Sequence, residues 1–259
     1  MAALKIALTQ LVLCAPLGII GKFDSIGTDS ILCDRIKNSI RSSPLTFFSS
    51  AVLDGHRADD NEFPYQVSLS IFGEHTCGGS IIDSRHILTA AHCFDNVETN
   101  YMTVTAGTNY VNVVSNRIFR LAFQLSTAIK LDHRHRPVKL PTSDTPVDTR
   151  VTACGWGDTS YPKGNTPSGL RKISMVVVPN SRCRPNTISY IRDTHICAYS
   201  GKGAGLCKVN YGDSGGPLLN NGTLIGIASF VVPCGKGYPD VFTRVNSYVD
   251  WINEVTEMH

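Results

Sequence analysis

The sequence lacks the features of a membrane-spanning or disordered chain. No apolar run in its 259 residues reaches the about 18 residues that a membrane-spanning helix needs. Hydrophobic residues make up 42% and charged residues 17% of the chain, a balance that excludes disorder. Neither charge dominates, because 24 Lys and Arg stand against 21 Asp and Glu. A net charge of +3 without basic patches interleaved with aromatics argues against nucleic acid as a partner, and the sequence predicts no membrane partner.

The nine cysteines include no C-x-x-C pair, so the spacing of zinc knuckles and dithiol redox motifs is missing. Nine is a high number for a cytosolic protein and favours an oxidising compartment. The N-terminus agrees, because residues 6–20 are mostly apolar, follow Lys5 and precede the first acidic residue, Asp24. We therefore predict a signal peptide over residues 1–18 and a secreted, extracellular protein. A buried N-terminal helix is the alternative.

No group of His, Cys, Asp or Glu has convincing ligand spacing, and we predict neither a metal nor a cofactor. His133 and His135 come closest. The arginines that flank them would repel a cation, so a solvated loop is the better interpretation.

The character of the sequence changes at Val52. Residues 19–51 are irregular and resemble a propeptide or linker, whereas short β-rich runs separated by turn signals follow. This spacing predicts an all-β sandwich or barrel, with a hairpin turn at Asn221-Gly222. The clearest runs are 65–69, 101–105, 173–177 and 224–228.

One helix is predicted, at the C-terminal end. Four apolar residues between Tyr248 and Val255 repeat at helical spacing. Ser247 and Asp250 can begin this helix as a capping box.

The most informative motif is Gly212-Asp213-Ser214-Gly215-Gly216-Pro217. A nucleophilic serine needs a tight turn that exposes its hydroxyl and directs backbone N–H groups at a developing oxyanion. Glycines on both sides allow that geometry, although such a run alone is more often an ordinary turn. A second motif, Leu88-Thr89-Ala90-Ala91-His92-Cys93, places a histidine beside a cysteine that can fix its loop.

Together the two motifs resemble the chymotrypsin/trypsin family of serine endopeptidases. The resemblance extends from Val52 to the C-terminus and implies a protease domain over residues 52–259. It implies two packed antiparallel six-stranded β-barrels with the active site between them, followed by a C-terminal α-helix. A monomer that acts on proteins or peptides is expected, with protein protease inhibitors as candidate partners. Further segments match the family in order: 63–69, 77–80, 155–157 and 239–245.

The resemblance implies a role for each residue of the serine motif. His92 resembles the general base and Ser214 the nucleophile, and the N–H groups of Gly212 and Ser214 resemble the oxyanion hole. Asp213 resembles the carboxylate that pairs with the new α-amino group after zymogen cleavage. Val52 would supply that amine. A hydrogen-bonded turn aspartate is the alternative for Asp213.

The resemblance also locates a substrate pocket, S1. Gly205 stands where the family's trypsins carry an aspartate, so a strict trypsin is not expected. Ser229, Phe230 and Val231 resemble the pocket wall and the strand that binds the substrate backbone. Asp240 stands where most relatives have glycine. We predict a pocket for aromatic and leucine side chains that tolerates Arg or Lys through Asp240, unless this carboxylate faces away.

The family pattern implies three disulfides and leaves some cysteines over. Cys154 has no family partner, and we predict a buried free thiol. Cys33 either pairs between chains or stays free. The implied pairs are Cys77–Cys93, Cys183–Cys197 and Cys207–Cys234.

The chain departs from the family at the third member of the catalytic triad. An aspartate is expected about 45 residues after the histidine, but the segment that carries it is missing, with a loss of about twenty residues. Asp132 lies too close to Pro141 to replace it. Asn116 is nearest by motif, but Asp→Asn in such a triad lowers turnover ~10⁴-fold. The deletion also predicts that the first barrel is incomplete.

Two further departures flank the serine motif and the activation site. Four residues, 208–211, stand where one is usual, and the loss of one oxyanion donor costs ~10²–10³-fold in turnover. Ala51 precedes Val52 where the family has Arg or Lys, so an activating protease other than trypsin is needed. We predict a secreted, chymotrypsin-like serine endopeptidase that acts through an acyl-enzyme. The alternative is a catalytically impaired homologue with a regulatory or binding role.

Overall fold

A computed structural model describes the chain from Asp54 onwards. The described residues are 54–95, 97, 101–111, 118–120 (backbone only), 125–159, 166–183, 191–206, 212–230 and 235–257. Within them, no helix is both long and apolar enough to cross a membrane. Several predictions lie outside the described residues: the signal peptide, the propeptide, Cys33, Val52, Asn116, residues 208–211, Val231 and the Cys207–Cys234 pair.

The described chain is built almost entirely of antiparallel strands. The first five are β1 (His56–Arg57), β2 (Gln66–Ile71), β3 (Glu74–Ile81), β4 (Ile87–Leu88) and β5 (Met102–Ala106). The next are β6 (Ile118–Arg120), β7 (Arg150–Gly155), β8 (Arg171–Val178) and β9 (His195–Tyr199). The last are β10 (Pro217–Asn220), β11 (Thr223–Phe230) and β12 (Asp240–Arg244).

These strands form two sheets. The first has five described strands in the order β4-β3-β2-β5-β6, and the second has seven in the order β1-β8-β7-β10-β11-β12-β9. An additional β8–β9 pairing closes six strands of the second sheet into a barrel, with β1 outside the ring. The predicted all-β fold is confirmed. The first sheet has one strand fewer, among those described, than the family's six.

All four predicted β-rich runs are strands. They are β2, β5, β8 and β11, and their ends differ from the predicted ones by one or two residues. The hairpin between β10 and β11 is confirmed as well. Asn221 and Gly222 have φ angles of +46° and +78°, as a two-residue hairpin turn with both central residues left-handed requires.

The predicted C-terminal helix is confirmed, but its proposed cap is wrong. The helix spans Val249–Glu257, whereas Ser247 lies inside a 3₁₀ turn over Val245–Tyr248. Val245 is buried, so packing against the core holds this turn in place ahead of the helix. A short helix, Asn180–Cys183, and a 3₁₀ turn, Ala91–Phe94, were not predicted, because four residues are too few to show helical periodicity.

The two sheets share a buried core. Leu69 of β2 and Leu224 of β11 belong to the same apolar cluster, while Phe242 lies in the cluster of the closed barrel. Between the sheets, the Cys154 thiol of β7 donates a hydrogen bond to Gln66 Oε1 of β2 over 3.4 Å. The predicted buried free thiol is therefore confirmed, and burial raises its pKa well above the usual value.

Two of the implied disulfides, Cys77–Cys93 and Cys183–Cys197, are present. The first joins β3 to the turn that carries His92, across a sequence separation of 16. Replacing both its cysteines by alanine should lower the free energy of unfolding by about 3 kcal/mol, because the unfolded chain gains loop entropy. Denaturant unfolding of Cys77→Ala/Cys93→Ala beside the wild type measures the loss. A change under about 1 kcal/mol would contradict this stabilisation.

Candidate active site

The structure brings the serine motif and the histidine motif to the same disulfide. The Ser214 carbonyl accepts a hydrogen bond from the Gly78 N–H over 2.8 Å, and Cys93 Sγ lies 3.8 Å from the same oxygen. A ring nitrogen of His92 and the sulfurs of Cys77 and Cys93 lie within 4.8 Å of one another. Because the two sulfurs are bonded to each other, they offer no thiolate to a metal ion.

Gly215 fixes the serine turn against the histidine loop. Its φ is +79°, and a Cβ there would lie 2.1 Å from Thr89 Oγ1 and 2.6 Å from the Gly78 carbonyl oxygen. The Thr89 hydroxyl donates to that same carbonyl over 2.7 Å. Since Thr89 precedes His92 by three residues, these contacts set the distance between the two motifs.

Asp213 lies beneath the serine turn and is 1% exposed. Its Oδ1 accepts the Gly157 N–H over 2.9 Å, while Oδ2 has no hydrogen-bond partner within the described chain. Burial raises the pKa of Asp213 to about 7. A Cβ on Gly155 would lie 1.7 Å from Oδ1, so the neighbouring strand must carry glycine at this point. The carboxylate is thus half satisfied and can accept another donor.

Asp240 faces Gly205 and is shielded from solvent, with 4% exposure. Its Oδ2 accepts the Leu206 N–H over 2.8 Å. A Cβ on Gly205 would lie 3.0 Å from this oxygen, and Gly205 has a φ of +140° that favours glycine. Burial raises the pKa of Asp240 to about 8. Ser229 is buried and Phe230 half-buried on β11, which pairs with the strand of Asp240.

Two residues near these groups were missed from the sequence. Ser200 Oγ is buried, has no hydrogen-bond partner among the described residues, and lies 3.5 Å from the Cβ position of Gly205. His75 is buried, hydrogen-bonds through Nδ1 to Ser68 Oγ over 2.7 Å, and burial lowers its pKa to about 4. Alternation along β3 could have placed His75 on the buried face, whereas Ser200 carries no comparable signal.

Asp132 belongs to its own turn. Its Oδ1 accepts the N–H groups of Arg134 over 2.7 Å and of His135 over 3.0 Å, and it lies 2.8 Å from His135 Nδ1. These hydrogen bonds, led by that from Arg134, lower the pKa of Asp132 to about 2. The solvated-loop interpretation holds for the exposed His133 but is wrong for His135, which is 6% exposed.

The sequence model of the trypsin family matches residues 52–252. The chain belongs to the trypsin family, whose members are serine endopeptidases. This trypsin-family chain is 36% identical to chymotrypsin-2 of Vespa crabro, over 78% of this chain and 99% of the relative. It is 35% identical to brachyurin of Leptuca pugilator, over 79% and 98%. It is 32% identical to trypsin delta of Drosophila erecta, over 78% and 87%.

The trypsin-family chain is shorter than these relatives within the matched region. The match to the Vespa crabro protein spans 222 positions but uses 78% of the 259 residues, or about 202 residues. About 20 positions of the match therefore have no counterpart in this chain. Their number agrees with the length of the missing segment inferred from the motifs.

Proposed function

We propose that this chain is a secreted, chymotrypsin-like endopeptidase that cleaves peptide bonds through an acyl-enzyme. The observation that carries the proposal is the meeting of the Ser214 turn and the His92 loop at one disulfide, in a chain of the trypsin family. Ser214 Oγ attacks the substrate carbonyl carbon while His92 takes the hydroxyl proton. The N–H groups of Gly212 and Ser214 hold the oxyanion.

The acyl-enzyme forms when the peptide C–N bond breaks and His92 returns its proton to the leaving amine. A water molecule then gives its proton to His92 and attacks the acyl carbon. The bond between the acyl carbon and Ser214 Oγ breaks, His92 returns the proton to Ser214 Oγ, and the carboxylic acid leaves. Substrates are proteins or peptides, protein protease inhibitors are candidate partners, and the chain acts as a monomer.

The substrate pocket is formed around Gly205 and Asp240. Without a side chain at Gly205, the pocket accepts aromatic and leucine side chains, and the Asp240 carboxylate admits Arg or Lys. The burial of Asp240 and its position beside Gly205 support this assignment. Ser229 forms part of the wall, and the strand of Phe230 binds the substrate backbone.

Activation proceeds by cleavage between Ala51 and Val52. The new α-amino group pairs with Asp213 and so orders the oxyanion loop. The buried Oδ2 that lacks a partner among the described residues supports this role, because an ammonium group would satisfy it. Since Ala51 is neither Arg nor Lys, the activating protease has a specificity unlike that of trypsin.

A catalytically impaired homologue with a regulatory or binding role is the second candidate. The specific observation in its favour is that about 20 positions are missing, together with the motif that should carry the triad aspartate. Asp132 does not compensate, because the backbone N–H groups of Arg134 and His135 and the Nδ1 atom of His135 already surround its Oδ1.

Hydrolysis of peptide amides separates the two candidates. A protein that begins at Val52 should cleave aromatic, leucine and arginine amides, whereas its Ser214→Ala variant should be at least ~10³-fold slower in kcat, because the nucleophile is gone. Circular dichroism of both proteins checks that they are folded. Equal rates from two folded proteins would favour the impaired homologue.

A further inference from the structure

Residues 130–139, which carry the exposed cationic side chains of Lys130, Arg134, Arg136 and Lys139, form what we call the cationic strip. Residues 130–139 contain these four and one acidic residue, Asp132, for a local net charge of +3. The whole chain also has a net charge of +3. From Val52 onwards, where the proposed mature chain begins, 19 Lys and Arg stand against 18 Asp and Glu, so the residues outside 130–139 carry a net charge of −2 and the positive excess lies in these ten residues.

The charge of the strip is not neutralised by neighbouring residues. All four side chains are exposed, and none forms an ion pair with a carboxylate among the described residues. Two cations elsewhere are neutralised by a neighbour, since Lys172 pairs with Glu62 at 2.6 Å and Arg244 with Asp144 at 2.5 Å. The single acid of the strip accepts hydrogen bonds within its own turn.

The backbone that carries the strip is held by the turn between β3 and β4 and by β11. It belongs to the connection between β6 and β7. The Ile129 N–H donates to the Ser84 carbonyl over 2.7 Å, and the Lys139 carbonyl accepts the Leu224 N–H over 2.8 Å. Val138 is buried between these anchors. A ligand would therefore meet side chains on a backbone already ordered, which lowers the entropy lost on binding.

We propose that the cationic strip binds a sulfated polysaccharide. Arg guanidinium groups form paired hydrogen bonds with oxyanions, and Lys adds a point charge, so two Arg and two Lys within ten residues suit a ligand with repeated sulfates. No Phe, Tyr or Trp lies within residues 130–139 to stack on bases, which disfavours single-stranded nucleic acid. Leu131, 44% exposed, is the only large exposed apolar side chain in the strip, too little to insert into a membrane.

Heparin is the probe for this site, and the full 259-residue chain is the protein to use. Calorimetry at ~0.15 M salt would compare the wild type with Arg134→Gln/Arg136→Gln. The matched control, Arg150→Gln/Lys202→Gln, removes two charges from exposed positions of the second sheet region. We expect the strip variant to bind at least about tenfold more weakly and the control to lose less than about twofold.

A second variant tests whether any loss of heparin affinity comes from misfolding rather than from the loss of the two arginines. Arg134→Lys/Arg136→Lys keeps the charge but loses the paired hydrogen bonds, so it should bind more tightly than Arg134→Gln/Arg136→Gln and more weakly than the wild type, and it should melt at the wild-type temperature. The proposal is overturned if the wild type does not bind, or if the strip variant and its matched control lose affinity equally. It is also overturned if phosphatidylserine vesicles or a single-stranded oligonucleotide bind as tightly as heparin and depend on the same two arginines.

Discussion

Gly215→Ala is expected to lose both activity and stability, whereas Gly222→Ala should keep its activity. Both glycines have left-handed backbones, with φ of +79° and +78°. The conformational cost of alanine, about 1–2 kcal/mol, is therefore the same at the two positions. Only at Gly215 would the new methyl group also collide, 2.1 Å from Thr89 Oγ1, while the same atom at Gly222 meets nothing within 4 Å.

The collision at Gly215 must move either the serine turn or the histidine loop. A displacement of about 1 Å between reacting groups costs about 10²-fold in rate, so kcat/KM of Gly215→Ala should fall at least that far. Its free energy of unfolding should fall by about 2 kcal/mol more than that of Gly222→Ala. Peptide-amide kinetics and urea unfolding of the pair measure both effects. Equal behaviour of the two variants would show that the contact does not position the motifs.

Asp240 should make substrate preference depend on pH. Its pKa is raised to about 8 by burial, so the carboxyl is neutral at pH 6 and charged at pH 9. The ratio of kcat/KM for an arginine amide to that for a phenylalanine amide should rise about tenfold per pH unit from 6 towards 8, then level off. Both substrates use the same His92, so its titration cancels from the ratio.

The isosteric variant Asp240→Asn should give a low ratio at every pH, because an amide never becomes anionic. Its Oδ1 can still accept the Leu206 N–H. The stability of the wild type should fall as the pH rises from 4 towards 8, since the folded-state pKa lies above the ordinary value of 3.8. At pH 9 the variant should be more stable than the wild type by about 1–3 kcal/mol. If the arginine-to-phenylalanine ratio of kcat/KM in the wild type is independent of pH, Asp240 does not contact the substrate side chain.

Local patterns predicted most of the fold. Short β-rich runs between turn signals located β2, β5, β8 and β11, and Asn221-Gly222 located the hairpin, because each depends on a few neighbouring residues. The two disulfides and the free Cys154 came from the family resemblance rather than from spacing. So did the candidate site, since a Gly-Asp-Ser-Gly run is common in ordinary turns.

Long-range packing decided what the sequence did not reveal. His135 is buried in a turn whose next residue, Arg136, donates its N–H to the distant Pro64 carbonyl, and its charged neighbours conceal this burial. Ser200 lies near Asp240 only after β9 and β12 pair in register. The 3₁₀ turn that displaces the predicted cap at Ser247 depends on burial of Val245. In each case the partner is distant in sequence or set by the core.

The hydrogen bond between Cys154 and Gln66 makes the Cys154 thiol a probe for the separation of the two sheets. One partner belongs to the closed barrel and the other to the five-stranded sheet, and the thiol is 1% exposed. A thiol reagent can reach this sulfur only while the two halves are apart. Under excess reagent, the modification rate of Cys154 therefore follows the frequency of that separation. Burial also keeps the unpaired thiol away from disulfide exchange once folding is complete.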